Sequence, residues 1–200
     1  MRITAITAAI LALAGTAYGA EKVYVYVNHD NVPWEMRGAI TFAQGISSRM
    51  FATAGVAVEW RSGKPGSPIE APPSRTIVIK FEMNTPPRDH PGGMAYAQPF
   101  EGIHIVVFYD RVWEYSRDFP GQRPMVLAHV MTHEITHNLQ GVTRHSASGV
   151  MKARWDTEDF LTMIRTPLPF TPEDIGFLHD GLRQRETQTV LSSLPLTTRP

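Results

Sequence analysis

Histidines stand at positions 133 and 137 of this chain, with Glu134 beside the first, inside Arg123-Pro-Met-Val-Leu-Ala-His-Val-Met-Thr-His-Glu-Ile-Thr-His-Asn-Leu-Gln-Gly141. Four residues are about one helical turn, so on a helix both imidazoles share a face and can reach one metal ion. The flanks suit a helix: Pro124 fits a first turn, and Gly141 fits the left-handed residue that ends one. On that frame Glu134 can take a proton from a water activated by the metal. With 8 histidines and 11 glutamates in 200 residues, chance produces this spacing roughly 0.02 times per chain. The alternative is a buried helix whose histidines are satisfied by hydrogen bonds, without metal.

Cysteine is absent, which excludes a disulfide scaffold, a thiolate metal site and a cysteine nucleophile. Any metal must then be held by histidine and carboxylate. Lys+Arg and Asp+Glu number 19 each, so no nucleic-acid partner or acidic surface is expected. At the start, Met1-Arg2 supplies charge, Ile3 to Ala14 is apolar, and Ala17-Tyr18-Gly19-Ala20 offers small residues for cleavage. Residues 1–20 therefore read as a signal peptide, too short for a comfortable membrane span. An uncleaved N-terminal anchor is the alternative. The remaining 21–187 make one domain of ordinary size, expected to be secreted or periplasmic.

The first strand is expected at Glu21-Lys-Val-Tyr-Val-Tyr-Val27. Apolar Trp34, Ile40, Phe42, Ile46, Met50 and Phe51 recur at helical spacing between Pro33 and Ala54, and Gly55 ends that helix. Strands follow at 56–60 and 75–81, the latter apolar enough for a central position. Met94 to Phe100 holds Pro99 and can only be an edge strand or a loop. A last strand at 102–109 is followed by a connection over 111–123 and the motif helix. Beyond Gly141 the chain is irregular to Arg154. It then forms a helix over 155–165, capped near Asp156 or Thr157, and a second helix opened by Thr171-Pro172-Glu173-Asp174 and reaching about Glu186. Residues 188–200 read as a disordered tail. The fold class is α+β with an α/β-like N-terminal half: a mixed, mostly parallel twisted sheet with an antiparallel edge strand and two long helices, then an irregular, helical C-terminal part.

A catalytic zinc takes three protein ligands and keeps one position open. His145 is the nearest candidate for the third. Here the chain resembles the metzincin clan of zinc endopeptidases, whose motif is H-E-x-x-H-x-x-G-x-x-H followed by a methionine-containing turn. In this chain His133-Glu134-x-x-His137 precedes Gly141, His145 and Ser148-Gly149-Val150-Met151. Gly141 lies four residues after His137, and His145 four after Gly141, one more each time than in the clan. Thr143 occupies the clan's third-histidine position. The resemblance implies a Zn²⁺ cofactor on His133, His137 and His145, Glu134 as general base, and Met151 as an apolar floor beneath the metal. It also implies that an edge strand near Met94–Phe100 binds substrate as an added strand. Glu158, on the downstream helix, is the competing third ligand in a thermolysin-like arrangement.

The expected function is therefore a secreted zinc-dependent metallopeptidase, an endopeptidase acting on peptide or protein substrates. The rival is a non-catalytic secreted binding domain that keeps a relic zinc site. Glu134 favours catalysis, because a structural zinc site has no need of it. The expectation of no propeptide before the first strand implies narrow activity or a separate inhibitor. His129 lies one turn upstream of His133 and is expected to be structural. His29, His90, His104 and His179 are expected to be structural or surface residues. Tyr96 and Tyr109 are the tyrosines that could reach a cleft.

Overall fold

In a computed structural model, residues 21–66, 71–118 and 120–193 are described. The expected signal peptide and residues 194–200 lie outside them. Five strands form one sheet: β1 (Glu21–Asn28), β2 (Val56–Ser62), β3 (Thr76–Glu82), β4 (Ala95–Ala97) and β5 (His104–Phe108). Their order is β2-β1-β3-β5-β4, with β3 central and β4 alone antiparallel, paired to β5. Alternation along the strands sends Val23, Val25, Val27, Ile77, Ile79, Phe81, Ile105 and Val107 into the core. The mixed α+β class and the antiparallel edge are as the sequence implies.

Helix α1 (Trp34–Thr53) buries Ile40, Ala43, Ile46, Ser47, Met50 and Phe51. Trp34 and Phe42, expected to share that apolar face, instead stand 77% and 72% exposed. The buried positions repeat at three and four residues, and both aromatics fall off that stripe. A short helix α2 (Tyr109–Tyr115) fills what was expected to be strand end and connection. Only Tyr109 and Val112 are buried on it, too short a repeat to show in the pattern.

Helix α3 (Arg123–Gln140) carries the motif, with Pro124 in its first turn and Gly141 at φ 67° after its end. Its middle is almost wholly buried beside α1, where Ser47 and Thr132 hydroxyls meet at 2.8 Å. Helix α4 (Thr157–Arg165) starts on a capping box between Asp156 and Asp159. Helix α5 (Pro172–Ser193) runs past the expected stop near Glu186, so residues 188–193 are helical rather than tail. No glycine or proline interrupts it there, and the hydroxyls of Thr187 and Thr189 bond back to the carbonyls of Arg183 and Arg185. No helix among the described residues is long and apolar enough to cross a membrane.

Candidate metal centre

The motif histidines lie on the face of α3 that meets the turn after the helix. His133 Nδ1 faces the Val150 carbonyl oxygen at 2.8 Å, and His137 Nδ1 faces that of Val142 at 3.1 Å. A carbonyl only accepts, so in both rings Nδ1 carries the proton and Nε2 keeps a lone pair. Burial pushes the two rings down to about 3 and about 4, so both are neutral at pH 7. Their Nε2 atoms nevertheless stand 3.0 Å apart, with no proton to share. His145 Nε2 lies 3.2 Å from that of His137, and the three ligand atoms fall within 4.8 Å of one another.

Facing lone pairs repel, and a cation between them turns the repulsion into coordination. Tetrahedral bonds of about 2.0–2.1 Å put imidazole nitrogens about 3.3 Å apart, close to both separations. The three histidines therefore fit a metal ion. Hydrogen bonds from the far ring nitrogens to carbonyls are the usual support of such ligands. His145 itself is exposed. Glu158, the competing ligand, sits exposed in the first turn of α4 and is not among the residues lining the cleft.

The turn between His145 and α4 is tied at both ends. Ser146 N–H donates to the Met151 carbonyl at 2.8 Å, and Met151 is buried. Gly149 takes φ 78°, and a Cβ there would lie 2.3 Å from the Pro169 carbonyl oxygen, so only glycine fits. Val150, the next residue, supplies the carbonyl that orients His133.

Around the histidines opens a cleft of about 710 Å³. Glu134 lines it, half-buried, with burial raising its carboxyl to about 8 and the Ala97 N–H working in the opposite direction. Ala97 belongs to β4. Met94 O accepts from Phe108 N, and Gln98 N donates to His104 O, so even-numbered residues point their main chain at β5. The main-chain groups of Ala95 and Ala97 consequently point away from β5 at the free edge of the sheet, with the Ala97 N–H turned to the Glu134 carboxyl. Opposite lies an aromatic wall: Tyr115 against Phe160 at 4.4 Å, Phe160 against Trp155 at 6.2 Å, and Trp155 edge-on to His133 at 5.7 Å.

Of the other expected residues, Tyr96 lines the cleft and stacks on His90 at 4.3 Å, whereas Tyr109 is buried against Phe81 away from it. His129 is structural: Nδ1 faces Met125 O at 2.7 Å, and Nε2 accepts from Leu168 N at 2.9 Å. Asp174 was seen only as part of a helix start. It is wholly buried, accepts from Ser146 Oγ and Arg144, and caps α5 through Thr171. Its signal was Thr171-x-x-Asp174, a capping box whose acid has a second use.

Compared with known proteins, the chain matches no family model and no curated protein.

Proposed function

We propose that this chain is an exported, zinc-dependent peptidase of the metzincin type, hydrolysing peptide bonds in an extended substrate. One observation carries the reading. Three imidazole nitrogens converge with no proton between two of them, beside a carboxyl group and the edge strand of the sheet in one cleft.

When bound by His133, His137 and His145, zinc supplies Lewis acidity toward a water and a carbonyl oxygen. The charge of a bound cation would favour the ionised form of Glu134 against the burial that raises it, and the carboxylate would take the proton of the attacking water and return it to the leaving amine. The main-chain groups of Ala95 and Ala97 pair with the substrate backbone and hold it extended. Tyr115, Trp155 and Phe160 exclude water from the opposite side and receive a side chain. Met151, buried in the turn that follows His145, takes the part of the apolar floor. The longer spacings around Gly141 fit the same closure, because the turn is fastened independently through Ser146 and Val150.

Elemental analysis of the purified mature chain tests the centre. One zinc per chain is expected, lost in His145→Ala and kept in Glu134→Gln. Peptide hydrolysis is expected from the native chain and not from Glu134→Gln. Zinc retained by His145→Ala, or full activity in Glu134→Gln, would overturn the reading.

A further inference from the structure

Two cationic side chains of the loop after the turn line the cleft, Lys152 and Arg154. Lys152 is engaged: its Nζ lies 2.6 Å from Asp156 and 2.6 Å from Asp159, which are themselves fixed as the capping box of α4. Arg154 is exposed, and no carboxylate or carbonyl among the described residues partners it. It immediately precedes Trp155, part of the aromatic wall.

The other ionisable groups lining the cleft are Glu134, the three histidines, Tyr96 and Tyr115. Glu134, half-buried beside the histidines, offers a carboxylate no cationic partner, and the double pairing of Lys152 leaves it little attraction to offer. Away from the histidine centre, the Arg154 guanidinium is the side chain lining the cleft that is suited to hold a carboxylate, through two parallel N–H donors. We propose that Arg154 selects peptides in which a carboxylate stands next to a large apolar residue, the apolar group lying on the Tyr115–Trp155–Phe160 wall. The carboxylate comes from an acidic side chain or from a free C-terminus, and both present the same group to Arg154. This inference rests on the peptide reading of the cleft.

The test measures binding, separately from turnover. Zinc-loaded Glu134→Gln protein is titrated into fluorescently labelled, end-blocked Ala-Ala-Phe-Glu-Ala-Ala and its Gln counterpart. A second pair carries the acid before Phe, and a third is Ala-Ala-Ala-Phe with a free or an amidated C-terminus. At low salt, at least one acidic form is expected to bind roughly fivefold tighter than its amide, a preference that shrinks as salt is added. The pair that responds identifies the source of the carboxylate. Adding Arg154→Gln is expected to erase the preference, and Arg154→Glu to turn it toward Lys in place of Glu. Equal affinities within all three pairs, a preference that survives Arg154→Gln, or no binding of any peptide would overturn the inference. A preference that depends on Arg154, with no hydrolysis by the native chain, would remove the peptidase reading and leave the carboxylate site standing.

Discussion

Asp174 and Ser146 are joined by a buried hydrogen bond from the serine hydroxyl to the carboxylate, although they lie on different segments. Arg144 Nη1 reaches the same carboxylate at 2.9 Å, so both neighbours of His145 are fastened to one group on α5. The free loop that carries the third histidine is thereby held against the motif helix. Asp174→Ala leaves Ser146 without its acceptor and Arg144 with the exposed Glu173 alone, and loosens His145. Metal affinity is expected to fall roughly 10–100-fold, as when other supports of metal ligands are lost. Stability is expected to drop by about 3–5 kcal/mol. Competition against a chromophoric chelator measures the first and urea unfolding the second. A folded variant with unchanged affinity would detach His145 from this clamp.

The same carboxylate sets a limit on acid sensitivity. Burial alone would raise Asp174, but hydrogen bonds from Ser146, Thr171 and Arg144 outweigh it and hold the group below its ordinary value. A depressed carboxylate contributes stability that is complete above its unfolded pKa of about 3.9 and is lost only as pH falls through the lower folded value. Asp174 therefore leaves stability flat between pH 5 and 7.

His129 does the opposite in that window. Burial pushes it down to about 4, against an unfolded value of about 6.5. Its stabilisation is complete above pH 6.5 and is lost as pH falls toward 4, by at most about 3 kcal/mol. In metal-free protein, His129→Leu is expected to cost about 2 kcal/mol at pH 7.5, because Leu168 N–H loses its acceptor. The variant should then lose less than the native chain on going to pH 5, by about one proton in the slope. Parallel pH profiles of urea midpoints for the two proteins would show that His129 is not the group titrating.

The helix, its glycine stop and the ligand pair were legible because His133, Glu134, His137 and Gly141 are local in sequence, and a helix converts that spacing directly into geometry. His145 was legible as the nearest remaining imidazole. Asp174, Val142 and Val150 were not: two act through backbone carbonyls that any residue carries, and the third holds the neighbours of His145, reaching Ser146 across 28 residues of chain. The aromatic wall was hidden for the same reason. Tyr115 comes from α2, which shows no helical period, and meets Phe160 only in the folded chain. Trp34 and Phe42 misled because apolar residues recurring at helical spacing reveal a stripe without saying which members face the core.

Gly149 bears on stability and metal binding together. An alanine there meets the Pro169 carbonyl at 2.3 Å and must hold φ 78°. The strained backbone costs on the order of 1 kcal/mol and the clash more. Gly149→Ala is expected to lower the melting temperature by roughly 5–12 °C, for a loss of about 3 kcal/mol in a chain of this size. Because Val150 moves with it, His133 loses its orienting carbonyl, and chelator competition is expected to show weaker metal binding. A variant that melts lower yet binds metal as tightly would separate the turn from the centre.

Arg111 governs the rim of the cleft. Its guanidinium donates to the carbonyls of Asp89, His90, Gly93 and Pro86 at 2.5, 2.6, 2.7 and 3.2 Å, and lies 4.5 Å over the Phe108 ring. Gly93, held by one of those bonds, lines the cleft together with Pro91, Gly92 and Met94 beside it. A lysine offers one point of charge and cannot span four carbonyls. Arg111→Lys is therefore expected to speed hydrogen exchange of the amides in 84–94 while leaving α3 protected and metal affinity unchanged. Peptide binding is expected to weaken roughly three- to tenfold, through the entropy of ordering the rim anew at each encounter. Unchanged exchange in 84–94 would mean that the bonds from Thr85 to Asp110 hold the rim without Arg111.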